Sequence, residues 1–332
     1  MKHKQFLQWI FLAGLHSLAV TICQADALSD SVKFTNPKTD MFSMPTDWVD
    51  KPVKHPADIK ADLVVTLDQQ SYVALKDKIN NYARDNHLKI VIKEGTCGLS
   101  SGLLEKKITD IGGFCCPPGK VDRLPGLKFH TLGIAAIALI VHPQNPVENL
   151  TLQQARDIFS GTIDHWAQLD VKSRSLIKPV TRLHCKKRAG HWKLLLPHED
   201  QFSLHVHDVG VIPDMISKVS KDRSAIGFET LLMIDKYSSI GHVKTLRIDG
   251  ISPLYRNAIE HNAYPLYRAY SVTTWTDKNK NKQADLLVRY LLDTVEDMEA
   301  FHLISHKRLR EAGWQFHDNE LIGEPKPVQR TQ

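Results

Sequence analysis

The ten residues Leu132 to Val141, LGIAAIALIV, constrain the fold of this chain more than any other stretch. They carry no polar side chain and outlast an average strand, with Gly133 near one end and Pro143 just past the other. The run is too short to cross a bilayer as a helix, which takes roughly 20 apolar residues. It also has no polar stripe to give a surface helix its solvent face. What remains is a strand buried along its whole length, or one that passes from one lobe into another.

The segments before this run alternate between two periods. Asp62 to Leu67 reads as a strand, and Tyr72, Leu75, Ile79, Tyr82 and Ala83 fall on one face of a helix. Leu88 to Ile92 is the next strand, a helix from Leu99 to about Lys107 follows, and Ile108 to Phe114 reads as a buried strand. Strand, helix, strand, helix, strand is the order of a parallel sheet covered by helices.

After the run, Thr151 and Gln154 form a capping box, and the helix they open stops at Gly161. Ile177 to Leu183, Ser224 to Phe228, Val243 to Ile248 and Tyr264 to Tyr270 read as strands. Helices are expected from Ile212 to Val219 and over Leu287, Val288, Leu291, Leu292 and Val295. Residues 26–56 hold Pro37, Pro45, Pro52 and Pro56 and no lasting apolar period, which predicts an extended arm pinned by Met41, Phe42, Met44 and Trp48. Residues 323–332 form a polar tail.

The first 25 residues stand apart. A basic start, Met1 to Lys4, precedes an apolar segment from Phe6 to Ile22 and the small-residue site Cys23-Gln24-Ala25, the pattern of a secretory signal peptide. Export to a periplasm is therefore expected, and four cysteines remain after cleavage: Cys97, Cys115, Cys116 and Cys185. Outside the cytoplasm an even number of cysteines suggests bridges, whereas grouped thiolates suggest a soft metal; both readings stand. At 332 residues with 42% hydrophobic residues the chain can bury a core large enough for two lobes. The net charge of +6 suits small anions, and the absence of a basic run interleaved with aromatics argues against nucleic acid.

Function is concentrated in Glu94 to Gly119, EGTCGLSSGLLEKKITDIGGFCCPPG. Gly95, Thr96, Cys97 and Gly98 make a small-residue turn at a helix start, where backbone N–H groups can meet an anion. Cys115 and Cys116 stand where the following strand ends, and ligands of open α/β sheets bind at the carboxyl ends of strands. The basic turn Cys185 to His191, with His184 just before it, brings His184 and His191 within reach of the same crevice, and its Lys186, Lys187 and Arg188 join them there or form a solvated charge run.

Taken in order, these motifs resemble the phosphate-type solute-binding proteins of bacterial ABC importers, the PstS-like type II periplasmic binding proteins. The resemblance runs from about Asp62 to Leu303. It rests on the Gly-rich turn with Ile-x-Asp-Ile-Gly (Gly95 to Gly112), the apolar strand and the segment from Leu150 to Trp166. Val-x-Arg (Val180 to Arg182), Ala-Ile-Gly-Phe (Ala225 to Phe228), Ile-Asp-Gly-x-x-Pro (Ile248 to Pro253) and Tyr-Pro-Leu-x-Arg (Tyr264 to Arg268) complete it. The resemblance implies an α/β fold of two lobes, each a mixed sheet flanked by helices, with two crossing strands as the hinge. Lobe one would hold residues 57–135 and 249–322, and lobe two residues 136–248. It implies a monomer without catalytic role that hands a small ligand to a membrane permease or a sensor.

The site departs from that pattern. Cys115 and Cys116 replace the acidic residue after the Asp-Ile-Gly strand, and His184, Cys185 and Lys186 replace the hydroxyl donors that follow the family's arginine. Arg182 matches that arginine, and Thr96 stands near the matching serine, so part of an anion site survives. The expected site is Gly95, Thr96, Cys97, Gly98, Cys115, Cys116, Arg182, His184, Cys185 and Lys186. Its ligand is a phosphate-like oxyanion or, through Cys97, Cys115, Cys116 and Cys185, a thiophilic metal or metalloid, and no other cofactor is called for. A periplasmic thiol enzyme, a hydrolase or reductase using Cys97 with a nearby His, is the alternative.

Overall fold

A computed structural model of the chain describes residues 33–169, 171, 174–295 and 301–325. The signal-peptide reading and most of the polar tail lie outside the described residues. Three parallel strands come first: β1 (Leu63–Asp68), β2 (Ile90–Gly95) and β3 (Ile111–Phe114), with β1 paired to both others. Two helices make the crossovers, α2 (Gln69–Asp85) and α3 (Cys97–Glu105), numbered after a short α1 (Thr46–Asp50). Asp68 caps α2 by accepting from the N–H groups of Gln70 and Ser71, and the apolar face of that helix buries Leu75 and Ile79.

β3 is three residues shorter than the sequence suggests because Asp110 turns out of the ladder. Its carboxylate accepts from the Val64 N–H at 2.8 Å and the Asn281 amide at 3.0 Å, and pairs with His55. The arm contains α1, which the proline count concealed, since four prolines leave room for only a single turn of helix. Trp48 pins it, donating from Nε1 to the Glu105 carbonyl and lying under the Lys107 ammonium, whereas Met41 and Phe42 stay exposed.

The apolar run is the centre of β4 (Leu127–Val141), a strand of 15 residues. Its first part pairs antiparallel with β11 (Tyr267–Trp275) and β12 (Leu303–Ser305); its last part pairs with β8 (Ala225–Thr230) and β9 (Lys244–Thr245). β6 (Lys178–Thr181) and β7 (His207–Asp208) continue the sheet beyond β8, giving the order β2-β1-β3-β11-β4-β8-β6-β7. Between these strands lie β5 (Asn149–Leu150), α4 (Leu152–Ser160), α5 (Ile212–Lys221), α6 (Leu231–Lys236), β10 (Arg247–Ile248) and α7 (Arg256–Glu260). The chain closes with α8 (Lys282–Asp293), α9 (His306–Glu311) and the hairpin β13 (Gln315–His317) and β14 (Glu320–Gly323).

Two apolar clusters share β4. One joins Leu63, Leu67, Ile79, Phe114 and Leu287 to Phe129 and Leu132; the other joins Phe159, Trp166, Met215 and Phe228 to Ile137 through Val141. The return strand expected at Tyr264 begins instead at Tyr267. Tyr264 sits before it, its hydroxyl donating to the Ile137 carbonyl at 2.9 Å.

Candidate functional site

The carboxyl ends of β1, β2, β3 and β6 face one crevice. Thr96 caps α3, its hydroxyl accepting from the Leu99 N–H at 3.1 Å, and this sets Cys97 in the first turn of the helix. Gly119 allows the turn after β6 to reach the loop after β3, because a Cβ there would stand 2.2 Å from the Lys187 carbonyl oxygen. That turn is held in an uncommon backbone. Cys185 and His191 both have left-handed φ, 58° and 41°, flanking Gly190 at 74°.

The four cysteines converge there and none is bridged. Cys97 Sγ and Cys115 Sγ are 3.6 Å apart, and Arg268 donates from Nη1 to Cys115 Sγ at 3.3 Å and towards Cys116 Sγ at 3.8 Å. Hydrogen bonds from the Cys116 and Cys97 thiols, with the Arg268 charge behind them, hold Cys115 well below the usual thiol range against its burial. Cys185 is lowered too, chiefly by hydrogen bonds from Cys116 and Cys97. The donors in these contacts, Cys97 and Cys116, are pushed up. Burial, and then the Arg268 charge, push His191 down, which leaves its imidazole neutral.

Arg182 reaches the crevice from the end of β6. Its Nη2 lies 3.9 Å from Glu229, and its Nε is buried without a hydrogen-bond partner. The narrow cavity it lines with Asp68, Gly95, Thr96, Cys97, Cys115 and His184 has a volume of about 20 Å³, room for about one water. Behind it runs a buried polar chain. The Gln70 amide donates to Glu229 at 3.1 Å, and its carbonyl oxygen accepts from Tyr270 at 2.6 Å and Thr230 at 2.9 Å. Burial, with the Cys115 sulfur beside it, pushes the Asp68 carboxyl well up.

Of the residues singled out in the sequence, Gly95, Thr96, Cys97, Cys115, Arg182 and His184 line this cavity, while Cys116 and Cys185 stand against it through the sulfur contacts. Gly98 occupies the second residue of α3. Lys186 does not face the crevice: it is exposed and paired with Glu199 at 2.6 Å. The basic turn divides, for Arg188 is buried, donating to Asp122 at 2.7 Å and to the Cys97 carbonyl at 3.1 Å, so it is no solvated charge. Asp68, Gln70, Glu229 and Arg268 were not legible as site residues. Arg268 had a signal, its place in the Tyr-Pro-Leu-x-Arg motif, whereas Asp68 and Gln70 look like ordinary helix-start residues.

A mixed sheet with two cores on one shared strand, and a polar crevice at its strand ends, is the architecture of ligand-clamping α/β proteins. The profile of the PBP superfamily domain matches residues 52–294, and the chain belongs to that family. It is 25% identical over 252 residues to the phosphate-binding protein PstS of Pseudomonas aeruginosa, covering 70% of this chain and 74% of that one. Its fold is that of an ABC-type phosphate transport receptor from Vibrio cholerae (TM-score 0.60, 19% identity, 73% of this chain and 99% of that one). A phosphate-bound substrate-binding protein from Clostridium perfringens is similar to the same extent (TM-score 0.62, 20% identity, 73% and 99%). The two-lobe type II fold expected from the motifs is thus the fold of the chain.

Proposed function

We propose that this is a solute-binding protein that captures a small oxyanion of the phosphate type and passes it to an ABC importer or a sensor. The observation that carries the reading is Arg182, a buried guanidinium whose Nε has no partner, beside the first turn of α3. Arginine is suited to such an ion because its planar fork gives charge-assisted hydrogen bonds, and a helix start adds backbone N–H groups. The relationship to a phosphate-binding protein favours the same class. The cavity is smaller than a tetrahedral oxyanion, so the ligand enters by a hinge motion of residues 57–135 and 249–322 against residues 136–248. No helix among the described residues is long and apolar enough to cross a membrane, and export through residues 1–25 to a periplasm, as a monomer, belongs to the same proposal.

A thiol enzyme fits less well. Cys97, the nucleophile such an enzyme needs, is pushed up by its sulfur contacts and its burial rather than activated. Calorimetric titration of phosphate into the mature protein tests the anion reading. Binding that weakens by about 1.5 to 3 kcal/mol in Arg182→Ala supports it. No heat with phosphate, or an unchanged constant in the variant, removes it.

A further inference from the structure

The sulfurs of Cys97, Cys116 and Cys185 each lie within 4.8 Å of the other two. A metal–sulfur bond of about 2.3 Å sets the sulfurs of a tetrahedral site about 3.8 Å apart, so small side-chain shifts bring all three onto one ion. Cys115 belongs to a different grouping. Its sulfur lies with Asp68 and Cys97 and takes the Arg268 hydrogen bond.

The imidazoles of His184 and His191 form a second arc around Cys185, again within 4.8 Å. His184 Nδ1 donates to the Arg182 carbonyl at 2.9 Å, and His191 Nε2 donates to the His184 carbonyl at 3.1 Å. A carbonyl only accepts, so each bonded nitrogen carries the hydrogen, and in a neutral ring the other nitrogen carries a lone pair. On His191 that other nitrogen, Nδ1, is buried with no partner at all. Imidazoles oriented through the far nitrogen by a main-chain carbonyl are how proteins present histidines to metals.

We propose that Cys97, Cys116 and Cys185 form a binding site for one soft d10 cation, Cu(I) or Zn(II), with the His184 and His191 rings next to it. Thiolate sulfur selects such ions over hard ones. Part of the excess negative charge of three thiolates is offset locally, since the Arg268 guanidinium stands 3.8 Å from the Cys116 sulfur. The inference goes beyond the oxyanion reading and does not depend on it.

The test uses the full mature protein, reduced and stripped of metal, in buffer free of phosphate. Cu(I) is titrated in competition with a chromogenic chelator, and Co(II), as a visible stand-in for Zn(II), is followed by its sulfur charge-transfer and d–d bands. One equivalent should bind, with the intense visible bands of tetrahedral cobalt. Cys97→Ser, Cys116→Ser and Cys185→Ser should each weaken binding by at least about 100-fold, the upper range for losing an outer partner alone. Unchanged binding in any one of these three serine variants, octahedral cobalt bands, or disulfides in protein taken from its native compartment would overturn the site. If a serine variant fails to fold, the charge-transfer intensity of the parent protein still counts the sulfur ligands, and fewer than three defeats the proposal. Phosphate titrated afterwards into metal-free protein reports on Arg182 alone, so the two readings fail separately.

Discussion

Arg188 donates to Asp122 Oδ1 at 2.7 Å across 66 residues of sequence, and both side chains are buried. The pair locks the turn after β6 onto the loop after Cys116 and so holds the cysteine nest closed. Asp122 has two further donors, the Ser101 hydroxyl at 2.7 Å and the Gly119 N–H at 2.9 Å. Arg188→Ala therefore leaves a buried carboxylate that is only partly compensated. A loss of about 3 kcal/mol is expected, the low end for breaking a buried pair, read as a lower urea midpoint with unchanged slope. A loss below about 1 kcal/mol would show that the turn is held by other contacts.

His130 should make stability depend on pH. Its Nε2 donates to Thr274 at 2.8 Å and its Nδ1 accepts from Asn319 at 3.4 Å, a pairing that only the neutral ring satisfies. Burial lowers its pKa to about 4, with Asp285 and Asp318 opposing the shift and Lys128 assisting it. The unfolded chain binds this proton near pH 6.5 and the folded one does not. The contribution is thus complete above about 6.5 and is lost as pH falls towards 4, up to about 3 kcal/mol in all. Unfolding midpoints at pH 7.5 and 4.5 should converge partly in His130→Gln; parallel pH profiles for variant and parent would exclude His130 as the source.

Two glycines separate space from backbone freedom. A Cβ on Gly133 would stand 2.0 Å from the Ile304 carbonyl oxygen, so Gly133→Ala must part β4 from β12, at about 2 to 3 kcal/mol. At Gly102, inside α3, nothing lies within 4 Å. Gly102→Ala should stabilise by about 0.5 to 1 kcal/mol. Thermal melts of the two variants moving the same way would refute this account.

Thr151 and Gln154 each satisfy the other's backbone N–H, at 3.0 and 2.8 Å. Thr151→Ala should cost about 1 kcal/mol, and amide exchange at Leu152 to Gln154 should quicken before the rest of α4. Unchanged protection there would mean that packing of Ile158 and Phe159 alone holds the helix.

The elements that one residue announces were legible in the sequence. The Thr151 box, the Gly161 stop at φ 87° and the apolar run of β4 all stand as read. Elements set by tertiary partners were not. Val243 to Ile248 looks like one strand, yet it forms β9 against β4 and β10 against β5, because consecutive residues find different neighbours. The site divides in the same way. The turn at Gly95 and the placing of the cysteines could be read locally, but Lys186 and Arg188 are two residues apart and only the fold decides that one meets water and the other Asp122.

Every strand that pairs with β4 lies later in the chain: β8 and β9, then β11 and β12. During synthesis the run from Leu132 to Val141 is therefore complete long before any partner for either of its edges exists. An unpaired apolar strand is a template for the wrong neighbour. The same residues that make the central strand so stable in the finished molecule thus make the half-made chain sticky. Its yield should be governed by how quickly β8 arrives, and by what shields the strand until then.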